Sequence, residues 1–306
     1  MMNFNNDEIV KGLEEALKKK LPEFIDVIIP DSVYLEYVIP YLNMTHVDAP
    51  SKDGMASLSL HLEKFVAKMN SSKISVAITR DMMMSLNNIN AEAEILNQIL
   101  NDLAEDVTCS YLINAKQCGL ESVKKDWDWK DKFKNFIFTK ILRKEYKKVI
   151  KVKDVETKHR QVLQHIMANS NMLMRDGRFG PCNFAIVSVG MALVLQDSAD
   201  YVYASTHLSD VAKNFQVYPI GQVGRITIYV DANLKFADNT VILGRTGNKE
   251  EPGIKSVVKI KACNLVSVHD PENPSQKYIC FYDKFTGPVS EQSKTIYRTI
   301  NFKFTK

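Results

Sequence analysis

The chain has 306 residues, 45% hydrophobic and 25% charged, which fits one elaborate domain or two to three subdomains and lets a sizeable core form without disulfides or metal. The net charge of +4 does not by itself indicate nucleic-acid binding. Five cysteines without a CxxC pair favour reduced thiols in a reducing compartment. No signal peptide is evident, and the longest apolar run, 184–195, is shorter than the ~20 residues that span a bilayer, so we expect a soluble, intracellular protein.

The first 80 residues predict a helix, an arm and a hairpin. Residues 7–20 place Ile9, Leu13, Ala16 and Leu17 on one stripe of a charged amphipathic helix. Prolines at intervals across 21–42 disfavour a continuous helix or a central strand, so this stretch is interpreted as an arm that lies on another surface. Loop signals around an apolar segment in 43–75 predict an excursion, with a hairpin as one form, that returns through a strand at 73–80.

A long helix is predicted at about 90–118. Asn90 is the candidate N-cap, and Glu92 and Glu94 lie in the first turn, where acidic side chains complement the helix dipole. Four residues at spacings of three and four form one apolar face: Leu96, Ile99, Leu103 and Val107. At a rise of 1.5 Å per residue the helix would be roughly 40 Å long, which suits a rod that crosses a whole subunit.

The window 123–153 carries twelve Lys or Arg against four Asp or Glu, a local net charge of +8. Aromatic residues are interleaved with the basic ones, a pattern that nucleic-acid-binding surfaces use. An amphipathic helix or strand with a solvated lysine face explains the same pattern, and both interpretations stay open. The basic residues that would face DNA are Lys130, Lys132, Lys134, Lys140, Arg143, Lys144, Lys147 and Lys148.

The second half predicts one more helix, at 155–174, and then mostly strands. The helix turns Val162, Leu163, Ile166 and Met167 inward, and Ser188 is the candidate N-cap of another helix after a strand at 183–187. Within 221–245, two alternating apolar runs flank a hairpin-like connection, and Ile226, Ile228 and Val230 alternate with Thr227, Tyr229 and Asp231. Further strands are predicted at 241–244, 254–262, 264–269, 277–282 and 295–304. The fold class is therefore α+β, with the helices first and a β-rich end.

The sequence offers no candidate for chemistry, so no catalytic, cofactor-binding or metal-binding residue is predicted and we expect a protein that is not an enzyme. The segment 177–181 lacks the Lys and Ser or Thr of a phosphate loop, and 221–224 precedes a strand rather than a helix. His159 and His165 are six positions apart and fall on different helix faces, which disfavours a zinc site.

Two segments resemble the major capsid proteins of T-even-like tailed phages. In the first, 73–107, a strand leads to an AEAE helix start, at Ile89, Asn90, Ala91, Glu92, Ala93, Glu94, Ile95, Leu96, Ile99 and Leu100. The second begins with Asn183 and Phe184 after a turn and continues at Gly221, Gly224, Ile226, Ile228, Tyr229, Val230, Asp231, Gly244, Arg245 and Gly247. Ala232 replaces a proline usual in that family, and the family's inserted domain has no counterpart here.

The resemblance implies the Hong Kong 97-type capsid fold, with five regions in chain order. These are an N-terminal arm (1–33), an extended loop (34–80), a peripheral domain with the spine helix (81–154), an axial domain (155–262) and a C-terminal β segment that returns to the peripheral domain (263–306). In this arrangement the strands of 221–245 are scaffold that keeps a plate-shaped subunit rigid, while the arm and extended loop overlap neighbouring subunits.

The resemblance also implies a function: self-assembly into hexamers and pentamers of an icosahedral shell around double-stranded DNA. It implies a virion protein assembled in the bacterial cytoplasm, without cofactor or membrane, with scaffold, portal or decoration proteins as further partners. Two alternatives share the fold: a pentameric vertex protein and a non-viral compartment shell. One comes from another class: a cytosolic nucleic-acid-binding protein that uses the window 123–153.

Overall fold

A computed structural model describes residues 6–46, 58–78, 91–121, 146–198, 200–203, 217–231, 240–247, 251–268 and 275–302. Its helices are α1 (Asn6–Lys20), α2 (Ala91–Cys118), α3 (Tyr146–Gly177), α4 (Val189–Gln196) and a 3-10 turn (Glu291–Thr295). Its strands are β1 (Val27–Ile28), β2 (Glu36–His46), β3 (Leu58–Lys68), β4 (Asn70–Ile78), β5 (Leu120–Glu121), β6 (Phe184–Ser188), β7 (Tyr201–Tyr203), β8 (Val217–Val223), β9 (Ile226–Asp231), β10 (Thr240–Gly244), β11 (Ile254–Val268), β12 (Ser275–Pro288) and β13 (Tyr297–Asn301).

The described residues divide into two compact units. The first contains residues up to 117 together with 246–293, and the second contains 118–203, 217–245 and 294–302. Within the described residues, no helix combines the length and the apolar character needed to cross a bilayer. The α+β class predicted from the sequence is confirmed.

The first unit is organised around a four-stranded sheet with the order β1-β11-β12-β4. β11 and β12 pair antiparallel from Ile254↔Pro288 to Val268↔Ser275, with a bulge between Ile260 and Ala262. The two strands predicted at 254–262 and 264–269 are therefore one strand, because the bulge interrupts the side-chain alternation without ending the hydrogen-bonded ladder.

β2 and β3 pair antiparallel as the two strands of a hairpin, the predicted form of the excursion, but β2 begins at Glu36, inside the stretch 21–42 predicted as the arm. On its inner face Ile39, Tyr41 and Ala67 are buried with Val257 and Val289 in one apolar cluster. β2 pairs only with β3 among the described strands, so Pro40 lies on an edge strand, where a missing N–H group is tolerated.

The N-terminal segment packs on the chain's own sheet. Leu17 and Phe24 are fully buried, and β1 runs parallel to β11. Glu14 of α1 pairs with Lys259 of β11 at 3.1 Å, and the carboxylate of Asp26 pairs with the Lys255 ammonium. The interpretation of 21–42 as an arm lying on another surface therefore needs correction for residues 21–28, because β1 pairs with β11 and Leu21, Phe24 and Ile25 are buried within the chain itself.

The second unit contains a seven-stranded sheet with the order β5-β13-β10-β6-β9-β8-β7. Helices α3 and α4 pack against it, and Val162, Leu163 and Ile166 are buried in its core as predicted, with Met167 partly buried. Ser188 caps α4 by accepting a hydrogen bond from the Met191 N–H at 3.3 Å, which confirms the predicted N-cap.

The interpretation of 221–245 as a hairpin is wrong. β9 and β10 do not pair with each other, because β6 lies between them, parallel to β9 and antiparallel to β10. The partner of β9 across a tight turn is β8, which the sequence analysis missed. The predicted alternation in β9 is also incomplete, since Tyr229 and Asp231 are buried along with Ile228 and Val230.

The predicted domain boundary after Ala262 differs from the division into units. It falls inside β11, and the continuous ladder of that strand with β12 places residues 246–293 in the first unit. The segment 263–306, predicted to return as a whole to one domain, contributes β12 to the first unit and β13 to the second.

Candidate assembly surfaces

The residues of the predicted spine helix lie on α2. Ile99, Leu103 and Val107 are almost completely buried, and Leu96 is partly buried. Glu94 is exposed, Asn90 falls outside the described residues, and Glu92 is described only as part of the helix. The predicted apolar face is therefore the face that packs within the first unit.

Polar contacts fix α2 on its sheet. Asp106 accepts hydrogen bonds at 2.6 Å from both the Tyr282 hydroxyl and the Lys284 ammonium of β12. The ring of Tyr111 lies 5.5 Å from the ring of Phe24, centroid to centroid. With 28 residues the helix is about 42 Å long at 1.5 Å per residue, and these contacts hold it on the first unit.

The predicted scaffold residues meet in the central strands of the second unit. The Asn183 N–H donates to the Gly244 carbonyl at 3.1 Å, and the Asn183 carbonyl accepts from the Thr227 N–H at 2.9 Å. Phe184, Tyr229, Val230 and Asp231 are buried nearby, in β6 and β9. Asn183 therefore ties β9 and β10, the strands on both sides of β6, together at the residue just before β6.

The glycines of the motif allow close approach or a tight turn. A Cβ on Gly244 would lie 2.3 Å from Cζ of Phe184, and one on Gly221 would lie 2.4 Å from the Val202 carbonyl oxygen. Gly224 has φ +61°, in the left-handed region, and with Arg225 it forms the two-residue connection of the β8–β9 hairpin. At these positions a side chain is disfavoured, either by the close packing of neighbouring atoms or by the backbone conformation.

Most of the candidate DNA-facing residues lie outside the described residues: Lys130, Lys132, Lys134, Lys140, Arg143 and Lys144. Lys147 and Lys148 are in the first turn of α3, where only the helical backbone is described. The interpretation of the basic window thus stays a prediction.

Across the described residues, no group of three or more His, Cys, Asp or Glu side chains is placed to hold a metal ion. His159, one of the two histidines considered above, lies with Nδ1 2.6 Å from the Asp197 carboxylate.

An apolar surface that the sequence analysis missed lies on the outer face of the β2–β3 hairpin. Val38 and Val66 are directly opposite each other and each is 48% exposed, and Leu62 is 60% exposed. Leu35, just before the hairpin, is 83% exposed. We call Val38, Leu62 and Val66 the hairpin patch. The sequence contains one signal of this patch. In 36–42 the odd-numbered and the even-numbered residues are both largely apolar, whereas a strand buried on one face needs apolar residues on that face only.

A second apolar surface lies on α4 and the edge strand β7 of the second unit. α4 directs Met191 and Leu195 into the core, while Leu193 remains 64% exposed. Val202 and Tyr203 of β7, which contacts α4, are 65% and 67% exposed. Val202 and Tyr203 are consecutive in the strand and therefore point to opposite faces of β7, and exposed apolar side chains of this kind are candidates for contact with a partner.

One family of known proteins matches most of the chain in sequence. The sequence profile of the major capsid protein Gp23 family matches residues 37–253, which is 217 of the 306 residues. Among curated proteins, none matches the chain in sequence.

Three solved structures illustrate the likeness in fold. The virus-like particle from Pyrococcus furiosus is 10% identical with a TM-score of 0.49, covering 96% of this chain and 98% of that one. The mature capsid of bacteriophage PhiM1 is 11% identical with a TM-score of 0.45, covering 91% and 85%. The SrpI encapsulin from Synechococcus elongatus PCC 7942 is 7% identical with a TM-score of 0.44, covering 90% and 84%.

The family assignment rests on the matched sequence rather than on these likenesses. The match includes the predicted spine helix and the motif from Asn183 to Gly247, which are the segments that carry the resemblance noted in the sequence. The chain belongs to the Gp23 family of major capsid proteins.

Proposed function

We propose that copies of this chain assemble head to tail into hexamers and pentamers of an icosahedral shell, which encloses double-stranded DNA and forms in the cytoplasm of a bacterial host. Membership of the capsid family supports the proposal, and the observation that carries it is the hairpin patch. Scaffold, portal and decoration proteins are further partners that the resemblance implies.

The hairpin has the organisation of an interface presented by a rigid element. Its inner face is fixed on the chain's own sheet, where the Phe65 and Phe285 rings lie 5.5 Å apart, centroid to centroid. Its outer face has an apolar centre, and Glu36 and Lys68 lie opposite each other at its base. An apolar centre with a polar rim is the usual anatomy of a protein–protein interface.

The hairpin patch meets a different surface of the neighbouring subunit in this proposal. A contact between two different surfaces is heterologous, and such contacts close into rings when the rotation between subunits permits. We assign the surface on α4 and β7 to contacts between second units, which would form the axial part of each ring. The helix α2 is the spine of the peripheral part.

The test uses one strand of the hairpin. We expect Val66→Asp to abolish shell formation, because a carboxylate in the centre of an apolar interface would be buried without a partner. The matched control is Lys64→Gln, an exposed substitution on the same face that removes no apolar surface. Negative-stain images and sedimentation velocity of the purified proteins give the particle fraction, and circular dichroism confirms that each variant is folded.

Two results would contradict the proposal. One is a folded Val66→Asp protein that assembles as the wild type does. The other is a wild-type protein that stays monomeric or dimeric at concentrations of tens of micromolar with and without added scaffold. Particle mass and symmetry separate a mixed shell of hexamers and pentamers from a vertex protein made only of pentamers, and particle contents separate it from a non-viral compartment.

We also propose that the window 123–153 faces the enclosed DNA. Its local charge of +8 supports this, since clustered Lys and Arg neutralise phosphates and release counterions. Lys→Glu changes at 130–148 are expected to reduce the packaged genome without reducing the number of shells. If shells carrying these changes packaged the normal length of DNA, the window would not be the surface that contacts the DNA.

A further inference from the structure

Two cysteines of the first unit face each other across the longest β ladder. Cys263 of β11 and Cys280 of β12 are directly opposite in the antiparallel register. Opposite residues in such a ladder have Cα atoms about 4.5–5.5 Å apart, and disulfides form at Cα separations of about 4.4–6.8 Å. The backbone therefore already holds the two residues at a spacing that a disulfide bond accepts.

The two thiols interact and are not equivalent. A hydrogen bond from Cys280 lowers the pKa of Cys263, in opposition to burial. The same hydrogen bond raises the pKa of Cys280, and burial raises it further. Because the thiolate is the reactive form of cysteine, Cys263 is the nucleophile of the pair and Cys280 carries the proton.

The two thiols differ in how accessible they are to a small molecule. Cys280 lies in the middle of the sheet, where β12 pairs with β11 on one side and with β4, at Ile74, on the other. Cys263 lies beyond the short β1, which pairs with β11 only at Ser256 and Val257 among the described residues. Cys263 is 7% exposed whereas Cys280 is completely buried, so a small oxidant meets Cys263 first.

We propose that Cys263 and Cys280 form an oxidation site, at which a peroxide converts two buried thiols into a cross-strand disulfide. The Cys263 thiolate attacks one peroxide oxygen, which forms a sulfenic acid and releases hydroxide. The Cys280 sulfur then attacks the Cys263 sulfur and forms the S–S bond, and the sulfenic oxygen leaves as water with the thiol proton. Overall, two thiols are oxidised, and one hydrogen peroxide is reduced to two waters.

The disulfide would join two strands that are already hydrogen-bonded, and thus lock the β11–β12 ladder against separation. Such a lock is absent under reducing conditions and forms when the protein meets an oxidant, so the same chain folds without it and carries it later. The β ladder alone brings the two thiols together, and no contact between subunits is needed.

Peptide mapping gives a direct test. The full-length protein is purified with reductant, exposed to hydrogen peroxide, alkylated with N-ethylmaleimide in acid to prevent exchange, and digested with trypsin. Cleavage after Lys261, Lys277 and Lys284 gives one peptide with Cys263 and another with Cys280, and neither contains methionine. We expect these two peptides to appear linked, with the loss of two hydrogen atoms, and to separate again after dithiothreitol.

The chain provides its own controls. Cys182 is a buried thiol of the second unit whose pKa is raised to about 11 by burial, so it is expected to stay reduced at a peroxide dose that links the pair. Cys263→Ser should eliminate the linked peptides while keeping the size of the side chain. Recovery of Cys263 and Cys280 as separate alkylated peptides, under conditions that oxidise the partly exposed Cys109, would overturn the proposal.

Discussion

The hairpin of the first unit and the central strands of the second unit use similar apolar residues for different purposes. In β6 and β10 all five residues of each strand are buried, so every apolar side chain stabilises the folded chain itself. In β2 and β3 only the inner face is buried, and Val38, Leu62 and Val66 are about half exposed or more. The comparison teaches that the apolar residues of these strands divide into those buried in the chain's own core and those left exposed, which we propose contact neighbouring subunits.

The largest expected effect contrasts two adjacent residues of β2. Ile39 is 1% exposed and Val38 is 48% exposed. We expect Ile39→Asp to lower the free energy of unfolding by about 4 kcal/mol, because it removes a core side chain and buries a carboxylate. Val38→Asp should change it by less than about 0.5 kcal/mol and yet prevent assembly. Urea denaturation and sedimentation velocity measure the two effects.

If Ile39→Asp and Val38→Asp changed the free energy of unfolding equally, the two faces of the hairpin would not differ in their contribution to folding. A Val38→Asp protein that still assembles would limit the interface to the remaining residues of the hairpin patch.

The next effect tests the close packing of the second unit. Gly244→Ala would place a methyl group 2.3 Å from the Phe184 ring, so we expect a loss of about 3 kcal/mol in the free energy of unfolding. The matched control is Gly12→Ala on α1, where nothing lies within 4 Å, and the better helix propensity of alanine should add about 0.5–1 kcal/mol. Urea denaturation of both variants shows whether each substitution raises or lowers the free energy of unfolding. A Gly244→Ala protein as stable as the wild type would show that the Phe184 ring moves aside.

The smallest effect concerns the turn between β8 and β9. Gly224 has φ +61°, and alanine in that conformation costs about 1 kcal/mol. Asparagine tolerates the left-handed region better, so Gly224→Asn should lose less than Gly224→Ala. Thermal melting of the two variants shows which is less stable. Equal losses of stability would indicate that the destabilisation comes from the neighbouring Met167 side chain rather than from the backbone.

Local patterns predict the helices and several strands of this chain. The spacing of Ile99, Leu103 and Val107 is a helical signal that tertiary contacts do not override, and Ser188 has the chemistry of an N-cap, so both predictions match the structure. Strand pairing carries no comparable signal. Nothing local indicates that β6 separates β9 from β10, because partners in a sheet are chosen by packing among distant segments.

The sequence indicates that both faces of the strand at 36–42 are largely apolar, but not which face is buried. Val38 and Ile39 are equally apolar, and only the docking of the hairpin on Val257 decides which of them is buried. In the same way, the facing of Cys263 and Cys280 depends on the register of β11 and β12, which a bulge shifts by one residue.

The place of β13 has a consequence for the order of events during synthesis. This strand lies between β10 and β5, and Arg298 pairs with Leu120 on one side and with Leu243 on the other. A nascent chain that ends before residue 297 lacks an internal strand of the sheet, even though nearly all of its sequence has left the ribosome. A polypeptide that terminates before residue 297 therefore lacks the strand that joins β10 to β5, and we expect it to leave this sheet incomplete.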